Sequence, residues 1–209
     1  MKKLTILGAS GHGKVIADIA RLNGYDEIEF LDDDSSKKEC AGYPVVGACA
    51  DAANIDNDLF VAIGDKDVRR QFIEMLHDKT LPTLVHPSAV IAEGVRIGRG
   101  TVIMAGAVVN PCAEIGTGCI INTCSSLDHD CVIGDYVHIS VGARLCGTVR
   151  VGKGTWISAG SVIINNIDIC EDCLVGAGTV VIRDLRIKGT YIGVPARLIP
   201  NRAIDADNM

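Results

Sequence analysis

From Ile91 onward, every sixth position of the chain is a branched aliphatic. Stepping by six from Ile91 through Ile97, Ile103, Val109 and Ile115 to Val175, Val181 and Ile187 meets only Ile, Val and Leu. An amphipathic helix would need apolar spacings of three and four, which this pattern does not keep. A fixed period marks stacked structural repeats. A second period lies over the first: Ile97-Gly98-Arg99-Gly100, Ile115-Gly116-Thr117-Gly118, Ile133-Gly134-Asp135-Tyr136 and Val151-Gly152-Lys153-Gly154 recur every 18 residues. Three hexapeptides therefore predict one coil with three flat faces. The aliphatics point inward and stack on their equivalents one coil away. The recurrent Gly is expected at a corner whose backbone geometry a Cβ would resist. The count runs unbroken from Ile91 to Ile187, which predicts roughly five coils with no inserted loop. Any site on this prism must come from side chains of the coils themselves.

The N-terminal part has a different pattern. Residues 3–7 (Lys-Leu-Thr-Ile-Leu) read as a buried strand, and Gly8-Ala9-Ser10-Gly11-His12-Gly13 follows. A helix with Val15, Ile16, Ile19 and Ala20 on its apolar face then runs to Gly24. A strand from Ile28 to Leu31 ends on Asp32, Asp33 and Asp34. Another, Leu59 to Ile63, ends at Gly64-Asp65, where Asp65 can cap a helix carrying Val68, Phe72, Ile73 and Leu76. Strand, Gly loop, helix, strand and acidic end make a βαβ unit. Thr80 to Ser88 reads as the connection into the prism. The fold class is thus a small α/β Rossmann-like domain, residues 1–82, followed by a β-helix with a C-terminal extension, residues 83–209.

The spacing of Gly8, Gly11 and Gly13 is G-x-x-G-x-G, not the dinucleotide G-x-G-x-x-G. A Gly loop at a helix N-terminus can hold a phosphate with its N–H groups, or it can simply make a tight turn. About 80 residues are too few for a full dinucleotide domain, so a single nucleotide or nucleotide-sugar is the economical ligand. Composition narrows the classes further. The net charge is -6 with no basic run, which sets nucleic acid aside. The apolar run Leu4–Leu7 is too short for a signal peptide, and no stretch approaches a membrane span. Nine cysteines, an odd number without a secretory signal, fit a reducing cytoplasm. Cys170-x-x-Cys173 has no second pair to complete a zinc site, so no metal is expected.

Five histidines are candidates for chemistry. His77 and His86 read as structural. His12 lies inside the Gly loop and is open between ligand contact and loop packing. His129 follows the inward Leu127 by two residues, in Asp128-His129-Asp130, so it should face outward; His138 directly precedes the inward Ile139. Acyl transfer from a thioester to an amine or hydroxyl needs a base, and neutral imidazole suits that task near neutral pH. A neighbouring carboxylate orients the ring and raises its basicity. Backbone N–H groups near Gly147, or the His138 ring, could stabilise the developing oxyanion. A β-helical carbonic anhydrase needs three His on zinc, and the prism offers two.

The repeat resembles that of the hexapeptide acyltransferase superfamily, which implies a left-handed parallel β-helix and a homotrimer with acyl-CoA sites between prisms. Phe30 to Asp33, Ala62-Ile63-Gly64, the runs from Asn122 to Gly134 and from His138 to Gly142, and Gly193-Val194-Pro195-Ala196, together with the Gly loop, resemble the nucleotide-sugar acetyltransferases. That group includes UDP-4-amino-sugar N-acetyltransferases of bacillosamine synthesis, sialic acid O-acetyltransferases and GDP-perosamine N-acetyltransferases. The resemblance covers nearly the whole chain. It implies His129 as general base with Asp130 in support, and nucleotide-sugar contacts at Ser10, Gly11, His12, Asp32, Asp33 and Gly64. It also implies an acetyl-CoA site lined by His138 and the backbone at Ala159 and Ala177, to which Gly147 adds a candidate donor. The sequence Gly64-Asp65-Lys66 departs from the Gly-Asn-Asn often found in relatives. The expected activity is N-acetylation of a UDP-4-amino-sugar by acetyl-CoA. O-acetylation of a sialic acid, acylation of a GDP-amino-sugar and a non-catalytic scaffold are the alternatives.

Overall fold

The computed structural model describes residues 1–200. The last residues of the expected C-terminal extension, 201–209, lie outside the described residues.

The N-terminal domain is built from β1 (Lys3–Leu7), α1 (Gly11–Leu22), β2 (Glu27–Leu31), β3 (Glu39–Cys40), β4 (Tyr43–Gly47), β5 (Asp58–Val61) and α2 (Lys66–Met75). Its sheet has the order β3-β4-β2-β1-β5, parallel except for the β3–β4 hairpin. The chain moves outward from β1 to β2 and β4, then returns to the other side of β1 as β5. The direction reverses between β1 and β5, and a crevice for ligands opens outside the carboxyl ends of such strands. Asp65 caps α2 as expected, its carboxylate accepting from the N–H groups of Asp67 and Val68 at 2.9 Å. The two apolar stripes differ by one residue each from the expectation. Val15 and Val68 are 41% and 39% exposed, and the buried stripe of α2 is Arg69 and Ile73, continued by its C-cap Leu76, with half-buried Phe72 beside it.

The second part is a left-handed parallel β-helix. Each hexapeptide contributes a two-residue strand, paired in parallel with its equivalents 18 residues away, as in Ile121↔Ile139↔Ile157. The inward aliphatics from Ile103 to Val181 form one continuous core. The prism begins one hexapeptide earlier than the pattern indicated. Leu84–Val85 already pairs with Val102–Ile103, so this part of the presumed connection belongs to the first coil. It also ends earlier, because Ile187 is 64% exposed. Leu185 takes the core position by bridging to Ile169, and Tyr191 follows by pairing with Val175. The count slips after Val181 because the chain leaves the repeat for a closing antiparallel hairpin, Thr190–Ile192 with Arg197–Ile199.

The corners also differ from the expectation. Left-handed backbone falls three residues after each inward aliphatic, with φ between 54° and 79° from Gly94 to Gly178, and includes Cys112, Cys124, Asp130, Tyr136, Thr148, Asn166 and Asp172. Gly98, Gly116, Gly134 and Gly152 are needed for another reason: coils approach so closely there that a Cβ on Gly98 would lie 2.5 Å from the backbone carbon of Gly116.

The three faces differ in their outward columns. Leu84, Val102, Ile120, His138, Trp156 and Leu174 line the first face. The α/β domain sits on it, and Leu84, Val102 and Ile120 are buried in a core shared with Leu4, Ile16, Phe30 and Phe60. Val90, Val108, Ser126, Arg144, Val162 and Val180 line the second face. Arg96, Glu114, Val132, Arg150 and Asp168 line the third, which is strongly charged.

Replacing Gly116 with Ala should destabilise the fold by about 1–3 kcal/mol, since the new methyl overlaps the next coil. Gly160→Ala, where a Cβ has nothing within 4 Å and only the left-handed backbone is strained, should cost less. Urea unfolding of both variants checks the order.

Candidate active site

The crevice at the β1–β5 switch is bounded by the Gly loop and by Gly64. Two of the loop glycines are demanded by packing. Gly8 has φ +103°, and a Cβ there would lie 2.8 Å from the Ala62 carbonyl; a Cβ on Gly13 would lie 2.2 Å from that of Gly8. Gly11 has open space instead, so the turn geometry accounts for Gly8 and Gly13 but not for it. Ser10 is the N-cap of α1 and makes no side-chain cap bond to the first-turn N–H groups. At the end of β2 the carboxylates are engaged locally. Asp32 accepts from Ala9 N at 2.7 Å, Asp34 N at 2.9 Å and Lys37 Nζ at 3.0 Å, and Asp33 accepts from Cys49 N at 2.9 Å. These bonds tie the ends of β1, β2 and β4 into one rim.

Between the N-terminus of α2 and the first face lies a cleft of about 490 Å³ lined by Gly64, Lys66, Arg69, His138, Trp156 and Leu174, among others. His138 stacks on Trp156, with ring centroids 5.4 Å apart and planes 9° from parallel. Asn122 Oδ1 is taken by Thr123 N, so the Asn122 amide donates to His138 Nε2 at 3.1 Å. The proton of the neutral ring is thereby assigned to Nδ1. Burial, then the nearby Arg69 charge and His12, push the His138 pKa down to about 3. Burial and Arg69 likewise push His12 down to about 4, and its buried Nε2 has no hydrogen-bond partner among the described residues. Both rings are neutral at physiological pH. Across the mouth of the cleft, Lys66 of α2 pairs with Asp172, which Lys188 also binds at 2.8 Å.

His129 lies elsewhere, at the corner between the second and third faces. Its backbone N–H donates to Asp128 Oδ1 at 2.8 Å, and Asn110 holds that carboxylate from the coil below at 2.7 Å. Its Nδ1 meets Asp130 Oδ2 at 2.7 Å, a bond that raises the imidazole pKa, with Asp128 adding to the effect. With Nδ1 so engaged, Nε2 carries the lone pair. Nε2 lies over Gly147: a Cβ at that position would be 2.5 Å away. Ala159 and Ala177 are exposed at a third location, the corner between the first and second faces.

The expected site residues therefore fall into three groups on one chain. The Gly loop, Gly64 and His138 share the first-face side. His129, Asp130 and Gly147 share the corner opposite that face, and Ala159 and Ala177 lie at the edge between. The oxyanion role considered for His138 beside His129 is not assembled within a single chain, because the prism separates them. Sequence reasoning missed Arg69, whose signal was a charge on the apolar stripe of α2. It also missed Trp156, the one Trp of the chain at an outward position. Among the described residues no three His, Cys, Asp or Glu side chains are grouped to hold a metal, and no helix is long and apolar enough to cross a membrane.

An α/β domain with a switch-point crevice, seated on a parallel β-helix, defines a two-domain hexapeptide-repeat protein. Residues 3–76 match the PglD N-terminal domain family. The acetyltransferase domain of PglB from Neisseria gonorrhoeae, solved with acetyl coenzyme A, is 37% identical and superposes with a TM-score of 0.92 over 95% of this chain and 99% of that one. PerB from Caulobacter crescentus, solved with CoA and GDP-perosamine, is 35% identical with a TM-score of 0.89 over 96% and 98% of the two chains. UDP-N-acetylbacillosamine N-acetyltransferase from Bacillus subtilis is 39% identical over 113 residues, 50% of this chain and 52% of that protein; the match thus spans about half of that relative. The chain belongs to the nucleotide-sugar acetyltransferase family of hexapeptide-repeat enzymes.

Since His12 and His138 refuse a proton that the unfolded chain accepts, acid should destabilise the fold. Stability is full above the ordinary histidine pKa and falls as pH drops from there toward 4, by up to about 1.4 kcal/mol per pH unit for each ring. Urea midpoints measured against pH should flatten in His12→Asn and His138→Asn.

Proposed function

We propose that the protein transfers an acetyl group from acetyl-CoA to the amine of a nucleotide-linked amino-sugar, with a UDP-4-amino-sugar as the first candidate and a GDP-amino-sugar of the perosamine type as the second. The observation that carries this reading is the His129–Asp130 pair, an oriented imidazole with its Nε2 free above a glycine. The relatives solved with acetyl coenzyme A or with CoA and GDP-perosamine support the donor and the acceptor class.

In the reaction, the amine attacks the thioester carbonyl carbon as His129 Nε2 takes a proton from the nitrogen. Asp130 holds Nδ1–H and stabilises the imidazolium. The tetrahedral intermediate collapses with loss of the CoA thiolate, which recovers the proton from Nε2. The oxyanion can be met by backbone N–H groups near Gly147 or by the Nδ1–H of His138. The nucleotide would lie in the crevice at Ser10, Gly11, His12 and Gly64, with the Asp32–Asp33 rim beside it. Ala159 and Ala177 would line the CoA path.

These groups need a second copy to meet, because His129 and the cleft are on opposite sides of one prism. A homotrimer would bring the His129 corner of one subunit to the cleft of the next. The second face suits that contact: its outward Val90, Val108, Val162 and Val180 are apolar, and Val90 is 62% exposed.

His129→Ala should lower kcat by about two to four orders of magnitude with little change in substrate affinity. Thiol release from acetyl-CoA with a panel of UDP- and GDP-amino-sugars measures it and ranks the acceptors; near-normal turnover would remove His129 from the mechanism. Because Asp130 raises the His129 pKa, activity should rise with pH through that raised value. In Asp130→Asn the acid limb of the pH–rate profile should move to lower pH while the plateau falls.

A further inference from the structure

Arg69 stands on the buried stripe of α2, 1% exposed, where an aliphatic would be expected. Among the described residues no carboxylate bonds to its guanidinium. Four backbone carbonyls do, and they come from both domains. Nη1 donates to Ile63 O at 2.8 Å and Gly64 O at 2.7 Å, at the end of β5. Nε donates to Gly118 O at 2.9 Å, and Nη2 donates to Tyr136 O at 2.9 Å. Gly118 and Tyr136 are equivalent left-handed corners of adjacent coils. His138, the ring in the cleft, is two residues beyond Tyr136.

As a stabilising device this is a poor choice. Burying a guanidinium carries a large desolvation penalty, and well-packed apolar residues commonly serve at least as well. The seam already has apolar packing, through Leu84, Val102 and Ile120 against the sheet and through Ile73, Leu81 and Tyr136 under α2. What a planar five-donor fork adds is geometry: its donors lie in one plane at fixed angles. Four acceptors on that fork leave the β5 end and the coil carrying Tyr136 little freedom to slide. Its positive charge also bears on His12 and His138, helping to keep both rings neutral.

We infer that Arg69 is a positioning residue for the acceptor. It fixes the Gly64 edge of the nucleotide crevice relative to the coil that carries His138, so that a sugar held by one presents its amine at the other. This inference rests on the proposed function, since it assigns the crevice to the nucleotide-sugar.

The test pairs Arg69→Lys and Arg69→Met with a control, Arg99→Met. Arg99 is a second clip between the domains, donating to Leu76 O at 2.6 Å, His77 O at 2.8 Å and Lys79 O at 3.3 Å, at the far end of α2 from Gly64. In both Arg69 variants the KM for the nucleotide-amino-sugar should rise about tenfold or more and kcat should fall, with the KM for acetyl-CoA within about twofold of the parent. Arg99→Met should lower the melting temperature and leave the sugar KM unchanged. If Arg69→Met does not fold, Arg69→Lys, which keeps the charge without the fork, decides the matter. An unchanged sugar KM in Arg69→Lys, or an equal rise in Arg99→Met, would overturn the inference. If the parent protein acetylates no nucleotide-amino-sugar, the functional reading fails, and amide hydrogen exchange of Ala62–Asp65 then decides on Arg69. Faster exchange there in Arg69→Lys than in Arg99→Met supports the positioning role; equal exchange overturns it.

Discussion

Each hexapeptide strand of the β-helix is two residues long, and such a strand has no stability of its own. It persists because each coil repeats the one below it in strict register, with backbone bonds such as Asp128 N to Leu145 O at 3.0 Å running from coil to coil. That vertical register is the constraint on which the rest of the molecule depends. It fixes columns as well as coils: position 129 must stand between Pro111 and Gly147, and position 130 must take a left-handed corner. Asp130 accepts that conformation, with φ 60°, and in doing so brings its carboxylate to the His129 ring. Gly147 makes room for the ring, which lies where a side chain at that position would stand. The pair is therefore a product of the stack, supported from the coil below by Asn110 through Asp128.

The same register sorts the outward columns into faces with different partners. The first face is apolar at Leu84, Val102 and Ile120, and the α/β domain covers those three residues. Its column then turns to His138, Trp156 and Leu174, where the cover ends and the cleft opens. The boundary between buried seat and open cleft is where Arg69 enters, reaching across to two consecutive corners. One column thus carries the sequence from domain packing to the site within three coils. The third face alternates in charge, with Arg96 paired to Glu114, and carries no such seat.

Much of this was legible in the sequence. The period of six displayed the coils and the inward residues from Ile91 to Val181, because a core one aliphatic wide tolerates nothing else at those positions. The start of the prism was in phase with the count, since Val85 stands six residues before Ile91, but the Thr80–Ser88 stretch around it reads as a connection. Ile187 kept the count only by coincidence, while Leu185 and Tyr191 had taken over the core. The Gly loop and the His129–Asp130 pair could be read because each is local in sequence. The cleft could not, because it joins residues 64–69 to residues 136–174 through a domain contact that no local pattern encodes. Arg69 was visible as a charge at an apolar position of α2, but its four acceptors exist only once the domains are docked.

The two prism histidines, nine residues apart in the chain, are driven in opposite directions by their surroundings. His129 is exposed, with a carboxylate on Nδ1, and its pKa is raised. His138 is half-buried against Trp156 at the edge of the α/β domain, with a guanidinium nearby and, among the described residues, no carboxylate bonded to it, and its pKa falls to about 3. A ring of the first kind can take a proton near neutral pH and return it. A ring of the second kind cannot carry one away, yet it can still offer a neutral N–H, here from Nδ1, without bringing a charge into the cleft. Environments that separate the pKa values of two like groups assign them different work. The separation here has a simple origin. One histidine follows its inward residue and falls on a solvent corner, while the other precedes its inward residue and falls on the face where the α/β domain sits.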